Sequence, residues 1–144
     1  MINNNQIFME KYEVKQDVAL ICYEAKSFPD GIMEAFNKLQ SSLPNCSERT
    51  WYGISKPNGG EIIYKAAVTE LSDMEAKENS FESFTVTKGT YLTETLTGWQ
   101  ENTQIIGATF DKLLQDPQLD PSSSCVEWYL SDDKLTCMVK LKTT

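Results

Sequence analysis

The 144-residue sequence contains no histidine. That absence removes imidazole-based triads, histidine-ligated metals and imidazole acid–base chemistry together. Arginine occurs once, at Arg49, and the lysines are not clustered. Acidic residues outnumber basic ones by 21 to 13, for a net charge of −8. A nucleic-acid binder ordinarily carries a basic patch or stripe, so no direct nucleic-acid contact is expected. An acidic chain gathers small cations around itself without selecting among them. Long hydrophobic runs are also missing: no stretch approaches the roughly 18 apolar residues that a membrane span requires, and no membrane association is expected. Residues 1–6 are a polar tail with no charged-then-apolar leader, which makes the cytoplasm the expected location. Cysteines are few and widely spaced, at Cys22, Cys46, Cys125 and Cys137. Cys22, Cys125 and Cys137 lie in apolar runs and read as buried thiols, while Cys46 follows Pro44-Asn45 and reads as exposed. No disulfide, metal or cofactor is expected.

What remains is an ordinary globular composition, 40% hydrophobic and 24% charged, on a chain of single-domain length. Period-2 runs predict strands over residues 8–15 and 18–23. Ser27-Phe28-Pro29-Asp30 then opens a helix whose apolar stripe is Ile32, Met33, Phe36, Leu39 and Leu43. A strand over 50–55, a turn at Lys56-Pro57-Asn58-Gly59-Gly60 and a return strand over 61–68 follow. The acid-rich segment 70–79 reads as a solvated connector with a short helix as the alternative. The order then begins again: strands over 81–87 and 90–96, a helix from about 101 to 114, and strands over 125–130 and 135–141. The second helix carries the stripe Ile105, Ile106, Thr109, Phe110, Leu113 and Leu114. Ile32, Phe36, Lys38 and Leu39 recur 74 positions later as Ile106, Phe110, Lys112 and Leu113. Carried forward without a gap, that offset sets Gly53 opposite Glu127. An offset of 77 would instead match Trp51-Tyr52 to Trp128-Tyr129 and exchange the strand faces.

The expected fold is therefore α+β: two strand-strand-helix-strand-strand halves, over approximately residues 8–70 and 81–142, forming one curved antiparallel sheet with two main helices. The whole of residues 1–144 is expected to make a single domain. At its centre is Cys125-Val126-Glu127-Trp128-Tyr129-Leu130, an apolar run with one carboxylate inside it. Alternation places Cys125, Glu127 and Tyr129 on one face and Val126, Trp128 and Leu130 on the other. An unpaired carboxylate is costly to desolvate. Two readings follow: an edge strand with Glu127 in water, or a cavity floor where Glu127 meets a polar or cationic guest. Trp99, Trp51 and Tyr129 divide similarly between core packing and a cavity wall.

Glu-aromatic-Tyr-Leu followed by Ser131-Asp132-Asp133, and the earlier Tyr52-Gly53-Ile54-Ser55 before Pro57-Asn58-Gly59-Gly60, carry a resemblance. With the order of elements, they make the chain similar to the effector-binding domains of bacterial transcription activators. That group includes gyrase-inhibitor-like (GyrI-like) proteins and integron-cassette effector-binding proteins. The resemblance covers about residues 8–142. It implies a deep aromatic-lined pocket for cationic, lipophilic compounds, with Glu127 at the position of the family's pocket glutamate. Phe28, Trp51, Trp99 and Tyr129 are the implied walls, with Tyr52, Tyr64 and Tyr91 as further candidates. Gly98-Trp99-Gln100-Glu101 departs from the family's Gly-Pro-Tyr entry to the second helix, and no helix-turn-helix precedes the domain. The expected role is a stand-alone module that binds an amphipathic organic cation, by sequestration or as part of transcription regulation and multidrug binding. Two alternatives stand beside it. One is hydrolysis of reactive electrophiles, with Glu127 as general base and Tyr129 nearby. The other is inhibition of, or partnership with, another protein through the acidic surface.

Overall fold

The structure, a computed structural model, describes residues 9–143. Phe8, expected to open the first strand, and the polar segment before it lie outside the described residues. The elements are β1 (Glu10–Val14), β2 (Val18–Glu24), α1 (Ile32–Ser42), β3 (Trp51–Asn58), β4 (Glu61–Thr69), α2 (Glu75–Glu78), β5 (Glu82–Val86), β6 (Gly89–Thr97), α3 (Gln104–Leu113), β7 (Cys125–Tyr129) and β8 (Lys134–Lys140). The strands form one antiparallel sheet in the order β1-β6-β8-β7-β3-β4-β2-β5. Replacing each strand by its mate from the other half and reading backwards returns the same order. The midpoint falls between β3 and β7, where Gly53 pairs with Glu127. These are the two residues that the 74-residue offset makes equivalent, so the pseudo-two-fold axis runs through this pair. The helices keep the same offset, with Ala35 and Leu39 buried under α1 and Thr109 and Leu113 under α3.

The pleat sorts side chains onto two faces. On one face α1 covers Ile21, Ala66 and Val68, and α3 covers Leu92, Leu135, Cys137 and Val139. Among the described residues the other face carries no helix, and it curls upon itself around Leu20, Tyr52, Ile54, Tyr91, Val126 and Met138. The curl is deep enough to bring Tyr12 of edge strand β1 within 5.7 Å, centroid to centroid, of Trp128 on the central strand. No helix among the described residues is long and apolar enough to cross a membrane.

Local chemistry moved several boundaries. The helix expected from Ser27 begins only at Ile32: Ser27-Phe28-Pro29-Asp30 forms a turn with a cis Phe28–Pro29 bond, closed by the Gly31 N–H on the Ser27 carbonyl at 3.1 Å. Met33, expected on the buried stripe, is 69% exposed because it faces away from the sheet contact made by Ala35 and Leu39. The β3–β4 hairpin is tighter than the five-residue turn expected. Strand pairing runs through to Asn58–Glu61, leaving Gly59 and Gly60 at φ +61° and +89°, the positive pair that a two-residue turn demands. The acid-rich connector contains α2, held down by a buried Ala76. A 3-10 turn over Trp99–Glu101 replaces the start of the second helix, which begins at Gln104.

Candidate functional site

Because α1 leans on β2 and β4 while α3 leans on β6 and β8, the central pair β3–β7 has no helix directly above it. The gap is a cavity of about 1490 Å³, open to solvent at one side. Its floor is set by strand alternation. Trp51, Gly53 and Ser55 of β3, with Cys125, Glu127 and Tyr129 of β7, point to the helix side. Phe28, from the turn before α1, and Trp99, from the turn before α3, stand at the two sides, and Tyr64 rises from β4.

Glu127 is only 7% exposed. Its Oε1 accepts the Tyr64 hydroxyl at 2.7 Å and the Tyr129 hydroxyl at 2.6 Å. Among the described residues no hydrogen bond reaches Oε2 and no ion pair reaches the carboxylate. The basic groups nearest the cavity are committed elsewhere. Arg49 bonds Glu75 and two carbonyls, and Lys56 reaches the Ser122 carbonyl. Burial pushes the Glu127 carboxyl above its ordinary range, against the pull of its bonds from Tyr129 and Tyr64. Burial, followed by the nearby Glu127 charge, pushes both phenols upward as well. Cys125 beside them is raised to about 11, chiefly by burial, and is a thiol at neutral pH.

Gly53 makes this arrangement sterically possible. A Cβ built there would lie 2.1 Å from the Tyr64 Oη and 2.4 Å from the Glu127 Oε1. The space opposite the lone acid is therefore filled by the phenol that bonds it. The walls are a continuous set of rings with Phe36 at the hub, at 5.9 Å from Trp51, 6.3 Å from Tyr64 and 6.0 Å from Tyr129. Phe28 meets Tyr64 at 5.9 Å and Trp99 meets Tyr129 at 5.7 Å.

Of the residues singled out from sequence, Glu127, Tyr129, Trp99, Trp51, Phe28 and Tyr64 surround one cavity. Tyr52 and Tyr91 do not. Strand parity turns both to the curled face, where Tyr52 stacks on Trp128 and the Tyr91 hydroxyl donates to the Thr87 carbonyl. In the sequence Phe36 belongs to the apolar stripe of the first helix and carries no explicit mark of a cavity wall. Its place on the N-terminal turns of α1, ahead of fully buried Leu39, was the one available signal.

No family model matches the sequence, and no curated protein does. Solved structures do. An integron cassette protein from the mobile metagenome of Vibrio cholerae matches with a TM-score of 0.64 at 16% identity, over 93% of this chain and 95% of that one. A protein bound to tetraphenylphosphonium matches with a TM-score of 0.59 at 12% identity, over 95% and 94%. A hydrolase from Listeria innocua matches at 0.56 and 8% identity, over 93% and 91%. The likeness is one of fold. At these identities the three neighbours share an architecture with this chain, and their functional descriptions differ from one another.

Proposed function

We propose that this chain is a small-molecule-binding module for lipophilic organic cations, working in the cytoplasm. The observation that carries the reading is Glu127: a buried carboxylate, held by two phenols and by no basic side chain, on the floor of a ring-walled cavity. Each aromatic face attracts a cation by roughly 0.5–2 kcal/mol, more where water is excluded. A carboxylate at the same point adds a charge-assisted contact. An apolar cavity with few convergent polar groups is the general form of a small-molecule site. A solved structure of the same fold holds tetraphenylphosphonium, which agrees with this reading. The output is sequestration of the guest, or a signal passed to a separate regulator.

All three tryptophans border the cavity, and the Trp51 and Trp99 rings belong to its aromatic wall, so a bound guest reports itself by fluorescence quenching. Titration with tetraphenylphosphonium quenches the parent protein, and Glu127→Gln weakens the response at least tenfold, about 1.4 kcal/mol. Absence of quenching in both proteins removes the proposal, and equal affinity in both removes the role of Glu127. A second reading, hydrolysis of a reactive electrophile with Glu127 as general base and Tyr129 beside it, draws on the raised carboxyl and on the fold shared with a hydrolase. Turnover of a cyclopropane-bearing electrophile that stops with Glu127→Ala would replace the first reading with this one.

A further inference from the structure

The two oxygens of Glu127 are not equivalent. Oε1 is taken by both Tyr64 and Tyr129, and among the described residues Oε2 receives no hydrogen bond. Sealed acceptors exist in this protein: both Glu94 oxygens are buried, with no hydrogen-bond partner among the described residues. Oε2 of Glu127 is not in that condition, so its free surface faces the cavity. Asp111 and Asp132 also border the cavity but are exposed to solvent, so on the buried floor Glu127 Oε2 is the anionic acceptor with its lone pairs unspent.

The lining mixes rings with a few neutral polar groups, among them Ser55 on the floor. Phe28, Phe36, Trp51 and Trp99 supply π faces and no strong acceptor. A guest entering with one cationic N–H therefore finds one acceptor for it. A guest with three N–H groups has to place its remaining desolvated donors against rings or neutral oxygens such as the Ser55 hydroxyl, with no second buried carboxylate in the described lining to take them, which is unfavourable. A guest with none keeps the attraction of the rings and of the charge but forgoes the charge-assisted hydrogen bond. Resting on the cation-binding reading above, we propose that the site selects protonated tertiary amines with a ring-bearing apolar body, over quaternary onium ions and over primary ammonium ions of the same skeleton. The two tyrosines then act as positioning residues. By occupying Oε1, they turn the remaining acceptor toward the guest.

The test uses one diphenylalkyl skeleton carrying a primary amine, an N,N-dimethyl amine or an N,N,N-trimethyl ammonium group. Each is titrated at neutral pH, where all three are cationic, into the intact chain and into Glu127→Gln, with tryptophan quenching as readout. The tertiary amine is expected to bind the parent about tenfold tighter than either companion, and the gap is expected to shrink to about threefold or less in Glu127→Gln. A trimethyl ammonium compound that equals or exceeds the tertiary amine overturns the selectivity while leaving cation binding intact. A gap of the same size in both proteins overturns it too, because the preference would then not arise at Glu127. Failure of all three to bind removes this inference together with the function it rests on.

Discussion

Across the helix side of the sheet, one row of paired positions runs through both halves, and its two ends are built from opposite materials. In the first half the row is Tyr23, Ala66 and Gly53; in the second it is Glu127, Cys137 and Glu94. The slots are related by the pseudo-two-fold axis, yet one half fills them with small or aromatic groups and the other with two carboxylates and a thiol. The small residues of the first half are what admit the chemistry of the second. With no side chain at Gly53, the Tyr64 phenol can lie across the axis and reach Glu127. The halves also treat buried charge differently. The first half buries Arg49 completely and pairs it with Glu75, adding the carbonyls of Pro44 and Thr69. The second leaves Glu94, 3% exposed, with no hydrogen bond among the described residues and the Lys112 ammonium 3.6 Å away. A repeated backbone thus carries a stabilising ion pair in one half and two under-compensated acids in the other.

The largest way to break that contrast is Arg49→Ala, which strands Glu75 and uncaps two carbonyls. The expected loss is about 3–5 kcal/mol in chemical denaturation, and a loss below about 1 kcal/mol would show that the Arg49–Glu75 pair does not stabilise the fold. The arginine bond holds the Glu75 carboxyl below its ordinary range. The pair's contribution is therefore present above the unfolded carboxyl range and lost as pH falls through the lowered value.

Gly53→Ala copies an ordinary side chain into the slot facing Glu127. Its Cβ must displace the Tyr64 phenol or the carboxylate, at a cost of about 1–3 kcal/mol, with loss of the cation response in the quenching assay. Unchanged quenching would mean that the Tyr64 bond does not shape the site.

Glu94→Gln is the smallest change and the one expected to stabilise, by about 1 kcal/mol at pH 8 in urea unfolding. Burial, opposed by Lys112, raises this carboxyl. Its native form favours the proton, so its contribution is complete below the unfolded carboxyl range and fades as pH rises through the raised value. The gain from Gln should shrink at pH 5, opposite in sign to the acid response of Glu75. A Gln variant less stable than its parent at pH 8 would show that Lys112 compensates Glu94 after all.

Much of the architecture could be read in advance, because it depends on periods and short-range punctuation. Ile32, Phe36, Lys38 and Leu39 recurring 74 residues later located the symmetry, and the same offset named the Gly53–Glu127 pair that lies on the axis. Alternation put Glu127 and Tyr129 on one face. The failures are equally specific. Tyr52 has the same composition-level claim to the cavity as Trp51, but one step along a strand reverses the face, and only pairing to β4 and β7 decides which parity looks toward the helices. Phe36 and Leu39 share a helix stripe, and where the sheet ends beneath it separates cavity wall from core.

The sequence by itself determined the order of elements, the doubled pattern and an acid amid apolar residues, since each follows from spacing within a few residues of chain. Tertiary structure alone decided what that acid meets. The phenol 63 positions away in sequence, the rings from both halves and the engagement of the sole arginine by Glu75 depend on distances across the sheet and between layers. Local propensities carry no record of those distances, because they are set by register and by how far each helix stands from the central strands.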